Sequence, residues 1–194
     1  MYLCRTALGG FALSWELLAQ MRALGAEFTT ITHVAGLSST GDPELDRRLP
    51  FDEPYRISPP TADTINRAKS RGARIVAIGT TVVRALEHAV DQGKIRAGEN
   101  LATERIGAST RLQIVDAMLS GTHEPGTSHY ELLRAFLADA ELERLMAELN
   151  ARAYRTHEFG DSVLVSRTFN KLVEDKSIWQ IPTTAPTVNN PLSG

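Results

Sequence analysis

The sequence predicts an α/β chain, a mixed or mainly parallel sheet with flanking helices, and two observations lead there. Helical and strand patterns alternate along most of its length, and the apolar run "RIVAIG" at 74–79 passes through a Gly-Thr-Thr corner straight into the amphipathic helix "VVRALEHAV". An apolar strand feeding a helix in this way is the repeating unit of a sheet covered by helices.

The elements follow in order. Ser14 caps a helix whose apolar stripe is Leu17, Leu18, Met21 and Leu24, with Gly25 as its stop. The strand "EFTTITHV" comes next, then the polar loop "AGLSSTGDPELDRRLPFDEP", longer than most connections in a compact domain and therefore read as functional or mobile. Thr61, after Pro59 and Pro60, is expected to cap a second helix that Gly72 ends. After the Gly-Thr-Thr helix, "TRLQIVDAMLSG" reads as a strand with a turn at Asp116, or as a hairpin. Ser128 and Glu131 have capping-box spacing for a helix through Phe136, and "ELERLMAELNARAY" reads as another. "SVLV" closes the series as a short buried strand. From about residue 166 the composition turns to Pro, Thr and Asn, an extension whose final dozen residues are expected to be a mobile tail.

Totals narrow the function classes. The 194 residues are 42% hydrophobic, enough for one substantial core. Cys4 is the single cysteine, so no intramolecular disulfide forms, and no Cys/His set has structural-zinc spacing. No apolar run approaches the ~20 residues that span a bilayer, and no signal-peptide pattern opens the chain, so a cytoplasmic, membrane-free protein is expected. A net charge of −2 leaves RNA contact to local basic groups. Arg67, Lys69, Arg71 and Arg74 crowd one helix and its exit, and Arg47 and Arg48 sit in the long loop; a solvated helix face is the favoured reading over phosphate contacts, and no aromatic stacking residues are interleaved.

The Gly-Thr-Thr corner holds candidate binding residues. Gly79 lets the chain turn, Thr80 or Thr81 can cap the helix, and Arg84 lies one turn in on the same side. Backbone donors, hydroxyls and a guanidinium then converge on an anionic or polar ligand, unless the threonines only cap and Arg84 only pairs with Glu87. The stretch is not a P-loop or a dinucleotide fingerprint, because the glycines and lysine of those motifs are absent.

The stretch "RIVAIGTTVVRALE" closely resembles the G-T-T-x-V-R-x-L-E segment of the S-adenosylmethionine:tRNA ribosyltransferase-isomerases of queuosine biosynthesis. The segments "SWELLAQMRALGAEFTTITHVAGLSS", "EPYRISPPTADTINRAKSRGARIVAIGTT", "IVDAMLSGTHEPGTSHYELLRAFLA" and "HEFGDSVLV" resemble further family blocks in the same order, over about residues 5 to 165. The resemblance implies the family's α/β domain over residues 1–165, without its N-terminal portion or inserted β-barrel, and an extension over 166–194. It implies S-adenosylmethionine as co-substrate and transfer of its ribosyl part, with isomerisation, to a 7-aminomethyl-7-deazaguanine in tRNA. There are departures. The family's Pro-Thr-Ala-Gly-Leu-His-Phe is "RTALGGF", keeping Thr6, Ala7 and Phe11 but with Gly10 at the histidine position, and the block "THEPGTSHYELL" lacks the family's lysine and gains Glu124 and His129. They point to a divergent branch acting on tRNA or on another amine acceptor.

Such a reaction needs a base at the ribose 5′ carbon, a proton donor for departing adenine, and groups that hold the methionine end. His33, ending a strand, is the first candidate acid or base; its other reading is a core histidine. His123, matching the family histidine before Pro125, is the second, and Asp161, after Phe159-Gly160, could grip an ammonium or ribose hydroxyl. Gly79, Thr80, Thr81 and Arg84 are the expected co-substrate contacts. His123, Glu124, His129, His157 and Glu158 do not make a metal site by spacing, since H-E-P-G-T-S-H is not H-E-x-x-H and Pro125 prevents a shared helix turn. Two functions remain open: a transferase completed by a second chain or another copy, and a non-catalytic module binding a nucleoside-like ligand or a protein.

Overall fold

The computed structural model describes residues 2–5, 13–34, 40–121, 123, 125–151 and 162–167. The main sheet has five strands: β1 (Tyr2–Arg5), β2 (Glu27–Thr30), β5 (Ile75–Ile78), β9 (Ala117–Gly121) and β10 (Ser162–Ser166), in the order β10-β9-β5-β1-β2. β1 pairs parallel with β2 and β5, β5 parallel with β9, and β10 antiparallel with β9. The expected mixed, mainly parallel sheet is therefore present. Its central strand β5 is buried along its whole length, which is why its sequence is unbroken Ile-Val-Ala-Ile.

The predicted strand "EFTTITHV" divides. β2 joins the main sheet, Ile31 is buried at the break, and β3 (Thr32–His33) joins β4 (Glu53–Ile57) and β8 (Gly98–Ala102) in a second, antiparallel sheet. The long polar loop thus holds a strand at its end, and a short helix, α2 (Pro43–Asp46), within it. β4 alternates buried and exposed, so Glu53, Tyr55 and Ile57 face inward together. β8 and the small hairpin of β6 (Val90–Asp91) and β7 (Lys94–Ile95) were not anticipated. Asn66 pins that hairpin, donating to the Ile95 carbonyl at 2.9 Å and accepting from the Ile95 N–H at 2.8 Å.

The helices carry several corrections. α1 (Trp15–Ala23) starts where expected, with Ser14 Oγ accepting the Leu17 N–H at 3.1 Å, but only Leu18 of its stripe is buried and Leu24 is exposed. α3 (Pro59–Ser70) is capped by Ser58, whose Oγ accepts the Thr61 N–H; Thr61 itself is buried, its hydroxyl donating to the Thr30 carbonyl. α4 (Thr80–His88) has Gly79 as its N-cap and no side-chain cap, so neither Thr80 nor Thr81 takes that role. α5 (Ser128–Leu133) is capped by Thr127, not Ser128, and Glu131 pairs with Arg134 at 2.9 Å rather than closing a capping box. α6 is Asp139–Ala151. The stretch before β9 is loop, not strand. Glu87 holds it, its carboxylate accepting the N–H groups of Gln113, Ile114 and Val115 at 2.7–3.0 Å, and so does not pair with Arg84.

Two cores flank the main sheet. The larger joins Val82, Val83 and Leu86 of α4 and Ile65 of α3 to Ile75, Ala77 and Met118. The smaller, on the other face, joins Leu13 and Leu18 to Val76, Ile78 and Ala117. Asp116 clamps the strand entrance: it accepts the Ile75 N–H at 2.9 Å, lies 3.5 Å from Lys69 Nζ, and pairs with Arg167 at 3.0 Å. Lys69 and Arg67, which pairs with Glu27 at 3.0 Å, are thus spent on the fold, leaving less of the basic helix for phosphates. Residues 168–194, including the expected mobile tail, lie outside the described residues.

Candidate functional site

The chain leaves β1 through α1 on one face of the sheet and leaves β5 through α4 on the other. Adjacent parallel strands whose connections depart to opposite faces open a crevice at their carboxyl ends, where ligands of α/β sheets bind. Gly79 stands at that point. Its φ of +93° is a conformation that a side chain resists, and its N–H donates to the Leu119 carbonyl at 2.8 Å, tying the corner to β9. With no side chain among the described residues capping α4, the first-turn N–H groups of the helix form a donor set of the kind that binds anions.

Arg84 does not face this crevice. Its side chain is 4% exposed, and NH1 lies 2.7 Å from Oε2 of Glu53, itself 8% exposed. Nε donates to the Glu104 carbonyl at 3.2 Å, NH1 to that of Phe51 at 3.0 Å and NH2 to that of Ala102 at 3.0 Å. The guanidinium therefore staples α4 to the second sheet and to the loop before β4, and the expectation that it grips a ligand gives way to an internal role. Spacing had put Arg84 beside the threonines; it could not say which face of α4 the long-range partners occupy.

Glu53 links this staple to the crevice. Thr81 Oγ1 donates to Glu53 Oε1 at 3.4 Å, and Thr80 is buried beside it at the helix start. His33, opposite Tyr55 in the β3–β4 ladder, lies within the field of Glu53. Burial pushes the His33 imidazole below its ordinary value near 6.5, with the Glu53 charge pulling the other way, so the ring is neutral at pH 7. Its Nδ1 is buried and has no hydrogen-bond partner among the described residues. A buried ring nitrogen without an internal partner is costly, and a ligand group that bonds it would remove the cost.

His123 enters from the end of β9. Ser120 Oγ, on a 7% exposed residue, lies 2.9 Å from His123 Nε2, and the His129 ring of α5 stacks at 4.6 Å between centroids and 34° between planes. Glu53 thus joins Thr81 of α4 to the field at His33, and the Gly79–Leu119 hydrogen bond ties the corner to the strand that bears the Ser120–His123 pair. Asp161 lies outside the described residues, as do Glu124, His157 and Glu158. No set of three or more His, Cys, Asp or Glu that could hold a metal ion occurs among the described residues. Glu53 and Ser120 escaped sequence reasoning. The period-2 pattern Glu53-Tyr55-Ile57 was the available signal for Glu53, hidden because the polar-loop reading ran through Pro54; Ser120 carries no signal of its own.

A separate cavity of about 290 Å³ lies at the far end of α4, lined by Tyr55, His88, Asp91, Arg96, Glu99 and Asn100 among others. Tyr55 Oη and His88 Nδ1 are 2.8 Å apart there, and burial, followed by the Glu104 charge, raises the tyrosine above its ordinary value near 10.

Known proteins agree with this architecture. The family model described as "Queuosine biosynthesis protein" matches residues 5–165. The S-adenosylmethionine:tRNA ribosyltransferase-isomerase of Citrifermentans bemidjiense is 34% identical over 159 residues, 80% of this chain and 47% of that protein. The protein of the same name from Thermus thermophilus is 35% identical over 161 residues, 80% and 46% respectively. The crystal structure of S-adenosylmethionine tRNA ribosyltransferase from Thermotoga maritima superposes with a TM-score of 0.65 at 25% identity, over 80% of this chain and 50% of that one. The chain spans about half the length of these relatives. No helix among the described residues is long and apolar enough to cross a membrane. With a family match over residues 5–165 and a mainly parallel sheet that carries the Gly-Thr-Thr corner at its switch point, the chain belongs to the queuosine biosynthesis protein family.

Proposed function

We propose that the chain forms the S-adenosylmethionine-binding side of a ribosyl transfer and isomerisation onto an amine acceptor in tRNA, within a cytoplasmic assembly in which a further chain or another copy completes the site. The observation that carries this reading is the α4 N-terminus at Gly79, which Glu53 links through Thr81 to His33 and which the Gly79–Leu119 hydrogen bond links to the strand bearing the Ser120–His123 pair. The α4 N–H groups and the Thr80 and Thr81 hydroxyls hold the carboxylate or ribose of the co-substrate. His33, neutral and with an Nδ1 that has no partner among the described residues, takes the proton from the ribose 5′ carbon, and His123 supplies one to departing adenine. Asp161 meets the ammonium or a ribose hydroxyl. Arg84 fixes the platform through Glu53 without touching the ligand.

Calorimetric titration of the 194-residue chain with S-adenosylmethionine, beside Thr81→Val and His33→Gln, tests the reading. Saturable binding that weakens in Thr81→Val is expected. A folded wild-type chain that binds no S-adenosylmethionine would overturn it. Binding without adenine release, in the presence of tRNA, would instead favour a module that binds the nucleoside without turnover.

A further inference from the structure

One face of the main sheet has room for more than it carries. Five strands about 4.8 Å apart span about 19 Å between the outer two, and a helix is about 10 Å wide. Among the described residues, α1 is the only helix that contributes to the smaller core on this face. It lies toward β2: Leu18 and Met21 point into the sheet, and on one flank Arg22 reaches over the Phe28 ring at 5.4 Å. Helical spacing puts Leu17 and Leu24 on the opposite flank, toward β9 and β10, where Leu17 is 39% exposed and Leu24 more so. The strand pairings set Ile78, Leu119 and Leu164 side by side on the same face. Exposure rises along that row from 2% at Ile78, through half-buried Leu119, to 37% at Leu164. An apolar trough therefore runs along β9 and β10, floored by Leu119 and Leu164 and walled by Leu17 and Leu24. The other face of β10 is already filled, since Val163 and Val165 pack into the larger core.

We propose that residues 169–179 of this chain occupy the trough as an amphipathic helix antiparallel to β10. The chain leaves β10 at the amino end of the sheet, where Arg167 donates to the Leu112 carbonyl at 2.6 Å and pairs with Asp116 at 3.0 Å. A segment returning from there has one open apolar surface within reach, the Leu164 face. The sequence that follows carries the matching pattern. Thr168 is a capping residue, Phe169, Leu172 and Val173 stand at i, i+3 and i+4, Trp179 comes back to the same stripe, and Pro182 stops the helix. Asn170, Lys171 and Glu174 take the opposite side, which would face water. A helix over 169–179 rises about 16 Å, and the five residues of β10 extend about 17 Å, so stripe and trough agree in length. The segment lies beyond residues 5–165, where the family match ends, so this cover belongs to the chain's own extension.

Tryptophan emission of the 194-residue chain is the test. The chain has two tryptophans, and subtracting the spectrum of a Trp179→Phe counterpart isolates Trp179. In the folded chain Trp179 should emit to the blue of its position in urea. Leu164→Glu and Leu17→Glu, which put a charge into the trough, should each move the emission to the urea position, with loss of helical signal in far-ultraviolet circular dichroism. Leu172→Glu should do the same from the other side. It changes the segment and no residue of the described fold, so it decides the matter if Leu164→Glu unfolds the sheet. Leu101→Glu, on β8 of the second sheet and also 39% exposed, should leave Trp179 unshifted. Sedimentation of the same samples identifies the occupant. A blue-shifted Trp179 in a monomer, unchanged on dilution, is the expected result. A shift that vanishes on dilution as a dimer dissociates gives the trough to a second copy and overturns the proposal. A folded chain whose Trp179 emits at the urea position overturns it as well, as does a shift that survives both Leu17→Glu and Leu172→Glu.

Discussion

Replacing Arg84 with methionine keeps the length of the side chain and removes its charge and every donor. In the wild-type chain the guanidinium serves Glu53 at 2.7 Å and the carbonyls of Phe51, Ala102 and Glu104 at 3.0–3.2 Å. Removing one partner of a buried ion pair costs about 3–5 kcal/mol, because the other charge stays behind without compensation. The three carbonyls add to this, though not independently, so the upper part of that range is expected. A domain of this size has about 5–15 kcal/mol in total, and the variant should therefore fold with little to spare. With a urea slope of about 2 kcal/mol per molar, the midpoint should drop by about 2 M in a far-ultraviolet circular dichroism titration. Glu53→Gln placed in the Arg84→Met background removes the stranded charge and should recover about 0.5–1 M. Arg84→Lys should fall between, since an ammonium keeps the charge but cannot reach three carbonyls in a planar fork. A midpoint for Arg84→Met within about 0.3 M of wild type, with loss of S-adenosylmethionine binding, would refute the reasoning and return Arg84 to the ligand.

Three further outcomes are expected. Glu87→Gln, which weakens the bonds from Gln113, Ile114 and Val115, should cost about 1–3 kcal/mol and speed amide hydrogen exchange at 113–115 before it affects β5. Asn66→Ala leaves both backbone groups of the buried Ile95 without their side-chain partner and should cost about 2–4 kcal/mol, read as a lower urea midpoint with early exchange in the β6–β7 hairpin. His33 has a proton affinity lowered on folding, so the unfolded chain binds the proton more tightly. Its contribution to stability is present above pH 6.5 and is lost as the pH falls below that value toward the folded one. The drop in urea midpoint between pH 7.5 and pH 5.5 should shrink in His33→Gln, and an NMR titration midpoint for His33 at or above 6.5 would contradict the assignment.

The sequence by itself determined what depends on neighbours along the chain. Apolar Ile75–Ile78 could only be a strand buried on both faces, Ser14 and Gly25 bracketed a helix, and the alternation of the two patterns sufficed for a mainly parallel sheet. Gly79 was legible as a corner, since its left-handed backbone is a local property. Tertiary structure decided everything that depends on which side of an element meets a distant partner. The caps of α3, α4 and α5 each fell one to three residues before the residue first expected, because Ser58, Gly79 and Thr127 satisfy the same local pattern and three-dimensional packing selects the winner. Ile31 divides one apparent strand between two sheets, since β3 finds its hydrogen-bond partner in β4 and not beside β1. Arg84 became a staple and Glu53 the group joining Thr81 to His33 because a charge withdrawn from water must be met by an opposite charge and by carbonyls, and those come from residues 18 to 33 positions away. Ser120 met His123 in the same manner. Spacing along a chain reports periodicity and turn chemistry, whereas the direction in which a buried polar group finds compensation is set only when the sheets and helices have closed around it.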